Sequence, residues 1–108
     1  MIDKKIEKLK KKAVRYQAFM RITKQFKPAQ IGVSRFIETS RCKIRVLEYG
    51  FESKKIEPLF IDMHGGGYVF GCADMSEPMC VFFREQTGVK IVSIDYPKAP
   101  QYPYPVAI

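Results

Sequence analysis

Apolar side chains at Ile2, Ile6, Leu9, Ala13, Tyr16 and Met20 recur at intervals of four and three, which places them on one stripe of a helix. Val14, Phe19, Ile22 and Phe26 widen that stripe toward its C-terminal end, while Lys4, Lys5, Lys8, Lys11 and Lys12 occupy other faces. The pattern predicts an amphipathic helix of about 24 residues that stops before Pro28. Pro28 to Gly32 read as a linker, so residues 1–27 form one unit and 28–108 another.

Beyond the linker the period changes from helical to alternating. Val33–Thr39 and Lys43–Tyr49 read as strands, with Ile44, Val46 and Glu48 on a shared face. Gly50 to Glu57 is polar and turn-like, and Leu59–Met63 is a short apolar strand. A helix is expected from Met75 to Thr87, capped by Asp74 or Ser76, with Pro78 in its first turn and Gly88 as its stop. Met79, Val81, Phe82 and Phe83 are its expected buried face. Val89–Tyr96 is the last strand, and strand–helix–strand implies a parallel pair. Its nearly unbroken apolar run, Ile91-Val92-Ser93-Ile94, is typical of a strand covered on both faces. Without later elements it is expected to be an exposed edge, open to self-association or to a complementary chain. Pro103 and Pro105 are placed to open a further helix.

The apolar strand at 59–63 runs directly into His64-Gly65-Gly66-Gly67, followed by Tyr68-Val69-Phe70-Gly71. Consecutive glycines let several backbone N–H groups converge on one point, a pocket suited to negative charge. Nucleotide-phosphate loops fail on spacing. The dinucleotide fingerprint needs glycine where Phe70 stands, and the Walker pattern from Gly66 meets Cys72 where lysine is required. Downstream lies Asp95-Tyr96-Pro97-Lys98-Ala99-Pro100-Gln101, followed by Pro103 and Pro105 among tyrosines.

Together these two segments, over roughly residues 40 to 108, resemble the hormone-sensitive-lipase-like branch of the α/β-hydrolase esterases. That family has an HGGG loop and then a D-Y-R-x-A-P-E-like run. Pro97 stands here for the usual arginine and Gln101 for the usual glutamate, which removes a local ion pair. The resemblance implies an α/β fold, an incomplete α/β-hydrolase lacking its C-terminal half, with residues 1–27 as a cap-like helix. It implies that Gly66 and Gly67 supply oxyanion-hole amides while His64 and Gly65 support the loop. Tyr68 and Phe70 would flank an acyl or alcohol pocket, and Asp95 and Tyr96 would fix the loop after the strand. It implies no cofactor and no metal.

The family's G-x-S-x-G nucleophile, acid and histidine come later in chain order, and none is found within these 108 residues. Ser34, in Gly32-Val33-Ser34-Arg35-Phe36, lacks the closing glycine; Ser40, Ser53, Ser76 and Ser93 lack flanking glycines. Asp62 and Asp95 precede the position of the missing nucleophile, so neither fits as triad acid. Asp62, inside an apolar strand, needs a buried partner. The chain is therefore expected to be an N-terminal piece of a carboxylic ester hydrolase, inactive alone, that meets a small ester only when completed. Plant gibberellin receptors resemble the same family, so a non-catalytic ligand-binding or interaction protein is the alternative.

Net charge is +8, and residues 1–27 carry ten Lys/Arg against Asp3 and Glu7, leaving the remainder neutral. Such a helix suits either a solvated face or an anionic surface, but no base-reading motif supports nucleic acid and no apolar run supports a membrane span. Three cysteines, Cys42, Cys72 and Cys80, have no paired metal spacing, and with no secretory signal they favour a reducing cytoplasm. Cys72, near the glycine loop, reads as a small buried thiol rather than a nucleophile.

Overall fold

The computed structural model describes residues 2–23 and 27–108. Helix α1 spans Ile2–Ile22, so the expected helix forms; Phe26, expected on its stripe, lies outside the described residues. Four strands follow as β1 (Val33–Glu38), β2 (Lys43–Tyr49), β3 (Leu59–Met63) and, after helix α2 (Glu77–Thr87), β4 (Lys90–Asp95). The sheet order is β1-β2-β4-β3; β2 pairs antiparallel with β1 and β4, and β3 runs parallel to β4.

That order overturns one expectation. β4 is an interior strand, hydrogen-bonded to β2 on one side and β3 on the other, and the open edge on its side of the sheet belongs to β3. Strand β2 comes back between β1 and β4 through the register Leu47↔Ser93 and Tyr49↔Ile91, a long-range pairing that no local pattern announces.

Helix α2 covers one face of the sheet. Leu47 and Tyr49 of β2, Ile91 of β4, Cys80 of α2 and Ala73 form the core, with Val81, Phe83, Val89 and Ala29 packed against it. Full burial of side chains such as Leu47 and Ile91 contributes roughly 1.5–3 kcal/mol each. The buried face of α2 is thus Cys80 with Val81 and Phe83; Met79 and Phe82, expected inside, point to solvent. Helix α2 is preceded by a 3-10 turn, Ala73–Ser76, and neither Asp74 nor Ser76 caps it with a side chain. Pro78 lies in its first turn, and Gly88 ends it in the left-handed conformation at φ 71°.

The opposite face is less covered. By strand alternation it carries Leu59, Ile61 and Met63 of β3, which are 57%, 57% and 53% exposed, beside half-buried Val92 and Ile94. β4 is therefore fully covered on one face only, not on both. Pro103 and Pro105 open hydrogen-bonded turns (Val106 N–H to Pro103 O, Ile108 N–H to Pro105 O) rather than a helix.

Helix α1 meets the rest of the chain through its C-terminal half. Ala13 and Met20 of the expected stripe, with Gln17 beside them, are partly buried, whereas Ile6, Leu9, Val14, Tyr16, Phe19 and Ile22 stay exposed. Gln17 Nε2 donates to the carbonyls of Val69 (2.7 Å) and Ala99 (2.9 Å), and the Tyr16 ring meets Phe70 edge-on at 4.9 Å. The stripe predicted the inward face but not its extent.

Candidate functional site

Strand β3 delivers His64 and the three glycines at its C-terminal end, beside the end of β4. The chain then makes a tight turn: the Gly66 carbonyl accepts from Val69 N–H (3.2 Å) and Phe70 N–H (3.0 Å). Gly66 has φ 130° and Gly67 φ 63°, backbone states that side chains resist, and Tyr68 follows at φ 62°. A Cβ on Gly66 would fall 1.9 Å from the Phe70 carbonyl oxygen, so only glycine fits. Among the described residues, no acceptor takes the amides of Gly66 or Gly67. Two unpartnered donors at a strand end can receive an anion or a developing negative charge.

His64 braces this turn from inside the protein. Its side chain is fully buried, Nδ1 lies 2.7 Å from Gly65 O, and a proton on Nδ1 makes that contact an N–H···O bond. Nε2 sits 3.5 Å from Asp95 Oδ1, too poorly placed for a regular hydrogen bond, and acts as a close polar neighbour. The Tyr96 ring stacks on the imidazole at 4.2 Å, and its hydroxyl donates to His64 O at 2.7 Å. Gly71 closes against the same ring, since a Cβ there would stand 3.0 Å from Nδ1.

Asp95 joins the turn to the sheet. It accepts from Ala73 N–H (3.2 Å), Lys98 (3.0 Å) and Arg45 (3.1 Å), and Arg45 also bonds Asp74. Burial opposes ionisation of Asp95, but Lys98 and Arg45 outweigh it and hold the carboxyl well below the usual aspartate range. Asp74 follows the same logic: Arg45 and the Ala29 N–H overcome its burial and lower its pKa.

Asp62, the orphan of the sequence, has its partner. Ser93 Oγ, on the neighbouring strand, donates to Asp62 Oδ2 at 2.7 Å, with Cys80 Sγ 3.9 Å away. Burial pushes the Cys80 thiol up to about 11, and burial, then Asp74, also raise the Cys72 thiol. Both are thiols rather than thiolates at neutral pH, which makes them poor nucleophiles.

His64, Gly65, Gly66 and Gly67 therefore lie on one turn, with Asp95 and Tyr96 behind it. Arg45 was missed, although strand alternation puts it on the face of Leu47 and Tyr49, where a charge requires a partner. Asp74, expected as a helix cap, and Gln17 carry no local signal of these contacts. Neither does Glu77, whose carboxylate receives the N–H groups of Gln30, Ile31 and Gly32 and thereby pins the linker to α2.

A strand ending in a glycine turn, a helix and a parallel partner strand define the class as an α/β fold. The α/β-hydrolase fold family matches residues 60–108. Lipase 2 of Moraxella sp. is 34% identical over 70 residues, covering 65% of this chain and 16% of that protein. Hormone-sensitive lipase of Mus musculus is 35% identical over 57 residues, covering 53% of this chain and 8% of the lipase. Among solved structures, EstE1, a thermophilic carboxylesterase from a metagenomic library, superposes with a TM-score of 0.65 at 26% identity, covering 94% of this chain and 34% of that one. The chain carries part of an α/β-hydrolase fold and is similar in sequence to hormone-sensitive lipases and carboxylic ester hydrolases. It spans about a third of the length of the solved esterases and much less of the curated relatives. Among the described residues, no helix is long and apolar enough to cross a membrane.

Proposed function

We propose that this chain supplies the oxyanion-stabilising turn of a carboxylic ester hydrolase whose nucleophile, acid and base come from polypeptide beyond these 108 residues. The observation that carries the reading is the pair of unpartnered amides on Gly66 and Gly67, held by a turn that His64, Tyr96 and Asp95 brace. In the completed enzyme a serine oxygen attacks the ester carbonyl carbon, and the carbonyl π electrons move onto oxygen. The two amides then bond that oxyanion more strongly than the uncharged carbonyl, which lowers the barrier. With no triad residue of its own, the chain alone is inactive.

The completing polypeptide docks on β3, whose edge is open and whose outer face shows Leu59, Ile61 and Met63. The roughly threefold greater length of the solved esterases supports this reading, because their additional chain has to meet the part matched here.

The test mixes the 108-residue chain with a separately produced polypeptide comprising Lipase 2 of Moraxella C-terminal to its matched segment, and follows p-nitrophenyl butyrate hydrolysis. The chain alone is expected to be silent, the mixture active, and the mixture with Gly66→Ala weaker by on the order of 10²–10³. Hydrolysis by the chain alone would overturn the reading, and a complex that forms without activity would favour the non-catalytic alternative.

A further inference from the structure

Helix α1 is held to the rest of the chain through its second half, by the Gln17 amide and by the Tyr16 ring against Phe70. Its first half projects, and every residue from Asp3 to Lys12 is exposed. Ile6 and Leu9 stand on one face of those turns, 43% and 57% exposed, and nothing among the described residues buries them.

The charge around that stripe is one-sided. Residues 3–12 hold six lysines against Asp3 and Glu7, and Glu7 meets only Lys10, at 3.4 Å. Helical spacing sets Lys5 and Lys12 beside the apolar stripe on one flank and Lys10 on the other, with Lys4, Lys8 and Lys11 on the far face. A matching partner must take aliphatic side chains at one level and dispersed cations just above it. Nucleic acid would neutralise the lysines but leave Ile6 and Leu9 in water. A second copy would bring like charges together. A folded protein partner is a poor match, because lysine is depleted from such interfaces in favour of arginine and aromatic residues, and residues 3–12 contain neither. An anionic bilayer surface supplies both layers: acyl chains for the stripe, and phosphates within reach of the flexible lysine stems.

We propose that the first half of α1 lies in the interface of an anionic lipid bilayer, with Ile6 and Leu9 turned into the acyl boundary and Lys5, Lys10 and Lys12 at the level of the phosphates. Binding is peripheral and reversible, since two aliphatic side chains bury little area and the lysines supply the rest. The sheet, the glycine turn and catalysis take no part, so the proposal stands or falls apart from the esterase reading.

Cosedimentation of the full chain with vesicles tests it, comparing phosphatidylcholine alone with phosphatidylcholine mixed with phosphatidylglycerol. The chain is expected to bind the mixed vesicles but not the neutral ones, and to be released by high salt. Lys5→Gln/Lys10→Gln/Lys12→Gln is expected to bind about a hundredfold more weakly, and Ile6→Gln/Leu9→Gln, at unchanged charge, about tenfold. Lys54→Gln/Lys55→Gln and Leu59→Gln/Met63→Gln, which alter a loop charge and the open sheet face, are expected to bind as the unaltered chain. No binding to the mixed vesicles, equal binding to the neutral ones, or full binding by either helix variant would overturn the proposal. So would an equal loss in either control variant, or preferential capture of the chain by duplex RNA supplied at equal phosphate concentration. Far-UV circular dichroism of each variant reports whether α1 is kept, and the substituted helix positions are exposed and outside the core.

Discussion

Asp95 and Asp62 are both carboxylates at the ends of parallel neighbours, yet they are stabilised differently. Asp95 is held ionised against burial by Lys98 and Arg45, so its folded pKa lies below its unfolded one. The unfolded chain then binds the proton more readily, and the stability Asp95 confers is complete above the ordinary aspartate value near 4 and lost as pH falls through the folded value. Thermal melts from pH 7 to pH 2 are expected to show stability falling below about pH 4, with a shallower fall in Asp95→Asn. Asp62 depends instead on a hydroxyl. Ser93→Ala removes its 2.7 Å bond and leaves a buried carboxylate oxygen short of a donor, at a cost of about 1–3 kcal/mol in urea denaturation. An unchanged midpoint would mean that Asp62 finds another partner. Gly66 is the third decisive residue, since its φ of 130° and the nearby Phe70 carbonyl exclude any side chain.

Among the elements, α1 is the least firmly attached. Its inward contacts are Ala13, Gln17 and Met20, and its tether is the Gln17 amide shared between two carbonyls. Gln17→Leu keeps helix propensity but leaves both acceptors without that donor. Amide hydrogen exchange in α1 is expected to speed up about tenfold, while the amides of β4 exchange as before. Equal acceleration in both would show that α1 and the sheet open as one unit. Helix α2 is the contrast. Cys80 seats it in the core, and Glu77 ties its first turn to the linker, so its position rests on several independent contacts.

The whole molecule is asymmetric in charge and in covering. The excess positive charge lies in the first 27 residues, and the sheet is buried under α2 on one face while β3 leaves apolar side chains and a strand edge open on the other. An open, apolar edge invites pairing with another chain. Ile61→Lys puts a charge on that surface without touching the core under α2. Light scattering of the free chain is therefore expected to show less concentration-dependent association in the variant. If association is unaffected, the contact lies elsewhere, with the exposed apolar side chains of α1 as the next surface to vary.

Much of this was legible along the chain. The bounds of β2 follow from alternation and those of β3 from a short apolar run, Gly88 ends α2 as a left-handed cap, and the motif at 64–67 with the run from Asp95 carries the family resemblance. Such features are local: dihedral preference and burial periodicity act within a few residues, so a short window of sequence contains their cause. The tertiary structure alone decided that β4 lies inside the sheet and β3 at its edge, because β2 inserts beside a strand more than forty residues away. It also decided that Arg45 would join Asp74 to Asp95, that Ser93 would satisfy Asp62, and that only half of the α1 stripe would be covered. Those outcomes depend on which surfaces meet, and partners brought together by a sheet have no characteristic spacing in sequence.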